Sequence, residues 1–139
     1  MKIIIVGDGK VGFTLAEHLS REDHDVTIID TRDEALQRAS DTLDVMCVKG
    51  NGASLATLRE AGAENADILI AATNLDEINM ICCLTAKRLG AKYTIARVRN
   101  PEYSAELELI KDDLRLSLSV NPELACLYAG EDRHELNVV

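Results

Sequence analysis

The chain of 139 residues carries a net charge of −9, and 47% of its residues are hydrophobic. This length allows one domain with a buried core and leaves no room for a second full domain. The acidic balance argues against a nucleic-acid or anionic-membrane surface, because both need clustered Lys and Arg. No apolar run approaches the roughly 20 residues that span a bilayer, and the N-terminus lacks a signal-peptide pattern. We therefore expect a soluble, cytoplasmic protein.

The first thirty residues have the pattern of a strand, a glycine-rich turn, a helix and a second strand. A short apolar run at 3–6 ends at a GxGxxG turn, and apolar residues then recur at helical spacing. A second β-branched run, 26–29, ends at Asp30, where a dinucleotide site places the acid that bonds the ribose hydroxyls. This context predicts an adenine-nucleotide site. The turn consists of Gly7, Asp8, Gly9, Lys10, Val11 and Gly12.

Each glycine of the turn has a physical role in such a site. Gly7 allows a sharp turn out of the strand, Gly9 lets a phosphate approach the backbone, and Gly12 lets the helix lie close to the sheet. The pyrophosphate is then expected at the free N–H groups of the helix N-terminus. Lys10 either reaches a terminal phosphate or is simply solvated.

The next elements follow from caps and turn residues. Thr31 and Glu34 have the spacing of a capping box, which predicts a helix from about residue 32. Residues 45–48 form a short apolar run that predicts a strand, and the turn 49–52 follows it. A further helix ends at Gly62.

The continuous apolar run 68–72 predicts a central parallel strand that is covered on both faces. A helix follows with Asp76 and Glu77 in its first turn and Gly90 as its stop. Residues 93–98 predict the fifth strand.

The last part of the chain carries two helix-start signals, Asn-Pro-Glu at 100–102 and again at 121–123. Residues 114–118 between them predict a sixth strand. We expect a domain over 1–124, and an incomplete C-terminal helix or tail over 125–139.

Alternating strands and helices predict an α/β fold, a Rossmann-like doubly wound parallel sheet with strand order 3-2-1-4-5-6 and three layers, α/β/α. Ligands of such sheets bind over the C-terminal ends of the strands. Besides the glycine turn and Asp30, this edge gathers the predicted cofactor-binding residues Thr31, Arg32, Gly50, Asn51, Thr73, Asn74, Asp76, Glu77 and Arg97. No catalytic residue and no metal site is predicted, because the four cysteines lack CxxC spacing and no histidine has an obvious partner.

The sequence resembles the TrkA N-terminal domain, also called the RCK or KTN domain. The resemblance is carried by MKIIIVGDGKVGFTLAEHL, VKGNGASLATLREAGAENADILIAAT, DEINM and IARVRNPEY. The last two segments are the most specific, since ordinary dehydrogenases share the glycines and Asp30 but lack these segments. Domains of this family are the nucleotide-binding regulatory modules of bacterial Trk and Ktr potassium uptake systems and of ligand-gated potassium channels.

The resemblance implies a regulatory domain rather than an enzyme. It implies binding of NAD(H) or of ATP/ADP, and gating of a membrane-embedded potassium transporter or channel by a ligand-dependent conformational change. The domain would lie in the cytoplasm, peripheral to the inner face of the plasma membrane through that partner, without inserting in the membrane or binding nucleic acid. It would be a homo-oligomer, a dimer here and a ring at full length. The alternative is the cofactor domain of an NAD-dependent oxidoreductase, which would need a second domain and a placed proton donor.

Several roles stay open at this stage. Asp30 would repel a 2′-phosphate, so NAD or adenosine phosphates rank above NADP despite Arg32. Asp76 and Glu77 also suit the first turn of a helix for electrostatic reasons alone. Arg97 is expected to meet a phosphate, a neighbouring subunit or these two acids. Asn51 is expected to reach the adenine or to cap the next helix. The apolar residues expected to mediate self-association are Ile78, Ile81, Tyr103, Leu107 and Ile110.

Overall fold

The computed structural model describes residues 1–103, 105–108, 118–121 and 126–129. Within these residues, seven strands form one sheet in the order β3-β2-β1-β4-β5-β6-β7. Every neighbouring pair is parallel except the last, β6 with β7, which is antiparallel. The strands are β1 Lys2–Val6, β2 Asp25–Asp30, β3 Met46–Lys49, β4 Ile68–Ala71, β5 Tyr93–Arg97, β6 Leu118–Asn121 and β7 Cys126–Ala129. The predicted α/β class is confirmed, and so is the predicted order 3-2-1-4-5 of the first five strands.

Helices cover both faces of the sheet. They are α1 Lys10–Arg21, α2 Asp33–Thr42, α3 Leu55–Glu60 and α4 Asp76–Leu89, with a 3-10 turn at Ala63–Asn65. Residue 103 and residues 105–108 are also helical. In β1, Ile3 and Ile5 pack in one cluster with residues of α1 and α2. Ile4 and Val6 pack in the other with residues of α3 and α4. Successive strand side chains point to opposite faces, so this division produces the three predicted layers.

The glycine stops are confirmed. Gly62 follows α3 with a φ of 83°, and Gly90 follows α4 with a φ of 130°. Residues that carry a side chain rarely adopt such backbone angles, so glycine ends these helices without strain. Within the described residues, no helix combines the length and the apolar character that crossing a bilayer requires.

Two local predictions at the start of α2 and the end of the chain are wrong. No capping box forms at α2: the N-cap is Arg32 in place of Thr31, and no side chain bonds the free N–H groups of the first turn. Residues 126–129, expected in a helix or tail, form the strand β7. The predicted sixth strand, 114–118, lies outside the described residues except for Leu118, where β6 begins.

Candidate functional site

A cavity of about 520 Å³ lies over the C-terminal ends of the central strands. Its volume falls within the range of about 300–1,000 Å³ that is usual for small-molecule sites. The residues that line it are Val6, Gly7, Gly9, Ile29, Asp30, Thr31, Arg32, Gly50, Asn51, Gly52, Ala72, Thr73, Asn74, Leu75 and Ile78. The sheet edge that the strand pattern predicts as the ligand site therefore carries a cavity of suitable size.

The glycine turn forms one wall of this cavity, and its three glycines differ in what a side chain would contact. Gly7 has a φ of 96°, and a Cβ there would lie 3.0 Å from the backbone of Ala72 and Thr73. A Cβ at Gly12 would lie 1.8 Å from the carbonyl oxygen of Gly7, so α1 can approach the turn only without a side chain. A Cβ at Gly9 would meet nothing within 4 Å. The turn therefore has no room for a side chain at Gly7 and Gly12, where it packs against the protein, but has room at Gly9, which lines the cavity.

The N-terminus of α1 is adjacent to the open glycine. No acidic side chain lies in the first turn of the helix, and its N-cap residue Gly9 has no side chain to bond the free N–H groups. Such an end favours an anion through these groups and through the helix dipole. Lys10 and Val11 are exposed at this end, while Gly12 is buried, and none of the three lines the cavity.

Asp30 is held rigidly at the end of β2. Its Oδ2 accepts the N–H of Asp8 at 2.7 Å, and its Oδ1 accepts the N–H of Arg32 at 2.8 Å. The Arg32 guanidinium adds Nε to Oδ1 at 3.1 Å and Nη2 to Oδ2 at 3.2 Å. Burial works to raise the pKa of Asp30, but the hydrogen bonds from Arg32 and Asp8 outweigh it, so the pKa lies below its ordinary value. The carboxylate is therefore charged at neutral pH.

Asp8 contributes its backbone to this arrangement, while its side chain is buried in the protein. The residue is fully buried, and neither carboxylate oxygen has a hydrogen-bond partner among the described residues. Arg38 is close to it: its Nη2 lies 4.0 Å from Oδ2 and donates to the Asp8 carbonyl oxygen at 3.1 Å. Burial raises the pKa of Asp8, and attraction to Arg38 opposes the shift without cancelling it. The Asp8 carboxyl does not line the cavity, contrary to its predicted place in the site.

The opposite wall is built on the loop after β4. Asn79 of α4 is completely buried, and its Oδ1 accepts the N–H of Thr73 at 2.9 Å and the Thr73 hydroxyl at 2.7 Å. Its Nδ2 donates to the carbonyl oxygens of Thr73 at 3.1 Å and of Arg97 at 2.8 Å. Sequence reasoning did not select Asn79. The sequence does place Asn79 on the apolar face of α4, and a polar residue at such a position indicates a buried side chain that needs hydrogen-bond partners.

Asp76 and Glu77 lie in a second, more open depression of about 410 Å³, beside the cavity. Asp76 accepts the N–H groups of Arg99 and Asn100 at distances between 2.8 and 3.1 Å, and it fixes the chain after β5. Glu77 accepts the hydroxyl of Tyr103 at 3.1 Å. These two acids therefore have structural partners and do not line the main cavity. Arg97 is half-buried at the end of β5 and is not a lining residue either.

The remaining predicted residues do meet in the cavity. Asn51 lines it, and its Oδ1 accepts the Ala53 N–H at 3.0 Å, so it also shapes the turn before α3. Of the 16 predicted cofactor-binding residues, those that line the cavity are Gly7, Gly9, Asp30, Thr31, Arg32, Gly50, Asn51, Thr73 and Asn74.

The apolar surface expected to mediate self-association is only partly exposed. Ile81 is 49% exposed, but Leu107 is 2% exposed and belongs to the core. Ile78 lines the cavity, and Tyr103 is half-buried. Ile110 lies outside the described residues.

Comparison with known proteins supplies the family. The model of the TrkA-N domain matches residues 3–115. The chain belongs to the TrkA-N family. This TrkA-N domain is 46% identical over 125 residues to the Trk system potassium uptake protein TrkA of Halomonas elongata. That match covers 88% of the domain's chain and 27% of the relative, so the chain spans about a quarter of the length of this curated relative.

Solved structures share the fold of this TrkA-N domain. The TrkA-N domain of inner membrane protein ybaL from Escherichia coli has a TM-score of 0.78 at 22% identity, with 88% of each chain covered. The GsuK channel bound to NAD has a TM-score of 0.71 at 22% identity, covering 87% of this chain and 21% of the channel's. GsuK bound to ADP gives the same identity and TM-score, with 86% and 31% covered.

Proposed function

We propose that this domain is a regulatory adenine-nucleotide sensor of a Trk- or Ktr-type potassium uptake system, and that ligand binding changes its conformation to gate potassium transport. The observation that carries the proposal is the cavity lined by both the open glycine Gly9 and the charged Asp30, beside the uncapped N-terminus of α1. Membership of the TrkA-N family supplies the transport context.

The residues of the cavity fit an adenine nucleotide. The open position at Gly9 leaves room for phosphate, the first turn of α1 offers N–H donors, and Asp30 offers an acceptor for ribose hydroxyls. A dinucleotide such as NAD(H) is the favoured ligand, with ATP or ADP as the second candidate. The GsuK structures bound to NAD and to ADP support both. NADP ranks lower, because the charge of Asp30 opposes a 2′-phosphate.

We propose further that the domain is not an enzyme. Hydride transfer needs a proton donor near the nicotinamide, and His and Lys are absent from the described residues that line the cavity. The oxidoreductase alternative would need such a group from elsewhere. As the partner we infer a membrane-embedded potassium transporter or channel, which would hold the domain at the cytoplasmic face of the membrane. Self-association, as a dimer of this chain and a ring of the longer protein, belongs to the same proposal.

Calorimetric titration of the purified chain with NADH, NAD, ATP and ADP tests the proposal. At least one is expected to bind without turnover, and Asp30→Ala is expected to weaken it, because the ribose hydroxyls lose their acceptor. Asp33→Ala is the matched control, since Asp33 is an exposed acid three residues away that pairs with Lys49. Failure of all four ligands to bind, or an equal effect of both substitutions, would contradict the assigned site. Steady oxidation of NADH would favour the oxidoreductase.

A further inference from the structure

The Asp30 carboxylate is the expected ribose ligand, yet its hydrogen-bonding capacity is already filled. Two carboxylate oxygens offer about four acceptor positions. The N–H of Asp8 and the N–H of Arg32 take two of them, at 2.7 and 2.8 Å. The Nε and Nη2 of Arg32 take the other two, at 3.1 and 3.2 Å. No acceptor position remains for a ribose hydroxyl.

The four N–H donors differ in how readily a ligand can displace them from Asp30. The two backbone N–H groups belong to the glycine turn and to the N-cap of α2, and moving them would disturb the fold. The Arg32 side chain is 52% exposed, whereas the Asp30 side chain beneath it is 7% exposed. The guanidinium sits at the end of a half-exposed side chain and can move away without disturbing the backbone, so of the four donors it is the one that a ligand can displace.

The exchange would conserve hydrogen bonds. A ribose diol brings two O–H donors to replace the two N–H donors of the guanidinium. The displaced Arg32 keeps a second partner, because its Nη2 also donates to the carbonyl oxygen of Asp8 at 3.3 Å. The free energy gained when Asp30 binds the diol is therefore offset by the loss of its hydrogen bonds with the Arg32 guanidinium.

We propose that the Arg32 side chain competes with the ribose diol of the nucleotide for Asp30, and so determines how strongly the site distinguishes a ribonucleotide from an analogue without the diol. This inference rests on the proposed nucleotide binding. It assigns Arg32 a specificity role that opposes ribose binding, in place of a direct contact with the nucleotide.

The test compares ATP with 2′,3′-dideoxy-ATP, which share the adenine and the phosphates and differ only in the diol. The ratio of the two dissociation constants is measured by calorimetry for the unmodified chain, for Arg32→Ala and for Arg38→Ala. Any contact of Arg32 with adenine or phosphate affects both ligands and cancels in the ratio. Arg38 is the matched control, since it also donates to the Asp8 carbonyl oxygen but makes no hydrogen bond to Asp30.

Arg32→Ala is expected to raise the ratio by about tenfold, the equivalent of one hydrogen bond to a charged group. Arg38→Ala is expected to leave it unchanged. A ratio that does not rise in Arg32→Ala, while ATP still binds, would overturn the competition and leave the proposed function standing. If a folded Arg32→Ala chain and the unmodified chain both fail to bind either ligand, the competition is overturned for ATP, and the nucleotide site itself is refuted if NADH and NAD also fail to bind.

Discussion

Two glycines of the same turn should respond differently to substitution. At Gly9 the backbone is extended, with φ −81° and ψ −163°, and a Cβ meets nothing within 4 Å. Gly9→Val should therefore fold normally with little change in the free energy of unfolding, because the loss of glycine freedom in the unfolded chain is opposed by the low preference of Val for an N-cap. At Gly12 a Cβ would lie 1.8 Å from the Gly7 carbonyl oxygen. Gly12→Ala should cost about 3 kcal/mol, because the turn or the helix must move.

The ligand response separates the two substitutions further. Nucleotide at a hundred times its dissociation constant stabilises a folded protein by about 2.7 kcal/mol. For a chain of this size that corresponds to a rise in Tm of roughly 10 °C. Gly9→Val should abolish the rise, because its side chain projects into the space that phosphate would occupy.

Thermal melts of the three chains with and without ATP or NADH measure both effects. The unmodified chain should have a higher Tm with ligand than without it. Gly9→Val should have the same Tm with and without ligand, and Gly12→Ala should have a lower Tm than the unmodified chain in both conditions. An undiminished rise in Tm for Gly9→Val would refute the reasoning, since phosphate would then bind elsewhere and the glycines would serve the turn alone.

Three further predictions concern stability and assembly. At pH 7, Asp8→Asn should raise the free energy of unfolding, because it removes the charge of a carboxylate that is fully buried and has no hydrogen-bond partner among the described residues. Burial raises the pKa of Asp8, so the gain in the free energy of unfolding should be full above the raised pKa and vanish as the pH falls towards the ordinary value of about 3.9. Urea titrations that show the same gain at every pH would contradict this. Asn79→Ala should lower the free energy of unfolding by about 2–3 kcal/mol, because Thr73 and Arg97 lose buried hydrogen bonds. The control is Asn74→Ala at an exposed site, which should change the free energy of unfolding little in the same titrations. Sedimentation at micromolar concentration should show a dimer, and a strict monomer with and without nucleotide would argue against self-association.

Much of the fold could be predicted from periodicity and glycine placement. The runs 3–6 and 68–72 are too short for helices and apolar at every position, which is the pattern of strands covered on both faces. Gly62 and Gly90 end helices because they adopt positive φ. These signals are local, and the right-handed crossover rule then restricts the strand order to few choices. The spacing of Thr31 and Glu34 predicts a capping box, but the N-cap is Arg32, whose own N–H is bonded by Asp30.

The site was less predictable, because side-chain pairing depends on contacts distant in sequence. Asp8 and Arg38 are 30 residues apart along the chain, and only the packing of α2 against the turn brings them together. A sequence pattern places Asp8 in the glycine turn but does not reveal that its carboxyl is buried. In the same way, the spacing of Asp30 and Arg32 shows an acid and a base near each other, while the bidentate pairing depends on the Arg32 side-chain conformation.

Asp76 and Glu77 show where the strand-end rule reaches its limit. The rule correctly places both residues at the C-terminal edge of the sheet, but this edge carries two depressions. Asn79 holds Thr73 at the wall of the larger one, and Asp76, one turn earlier on α4, holds Arg99 and Asn100 in the smaller one. Asn74 and Leu75 line both. The first turn of α4 therefore supports the wall between the depressions, which explains why polar residues there lie at the predicted edge but outside the main cavity.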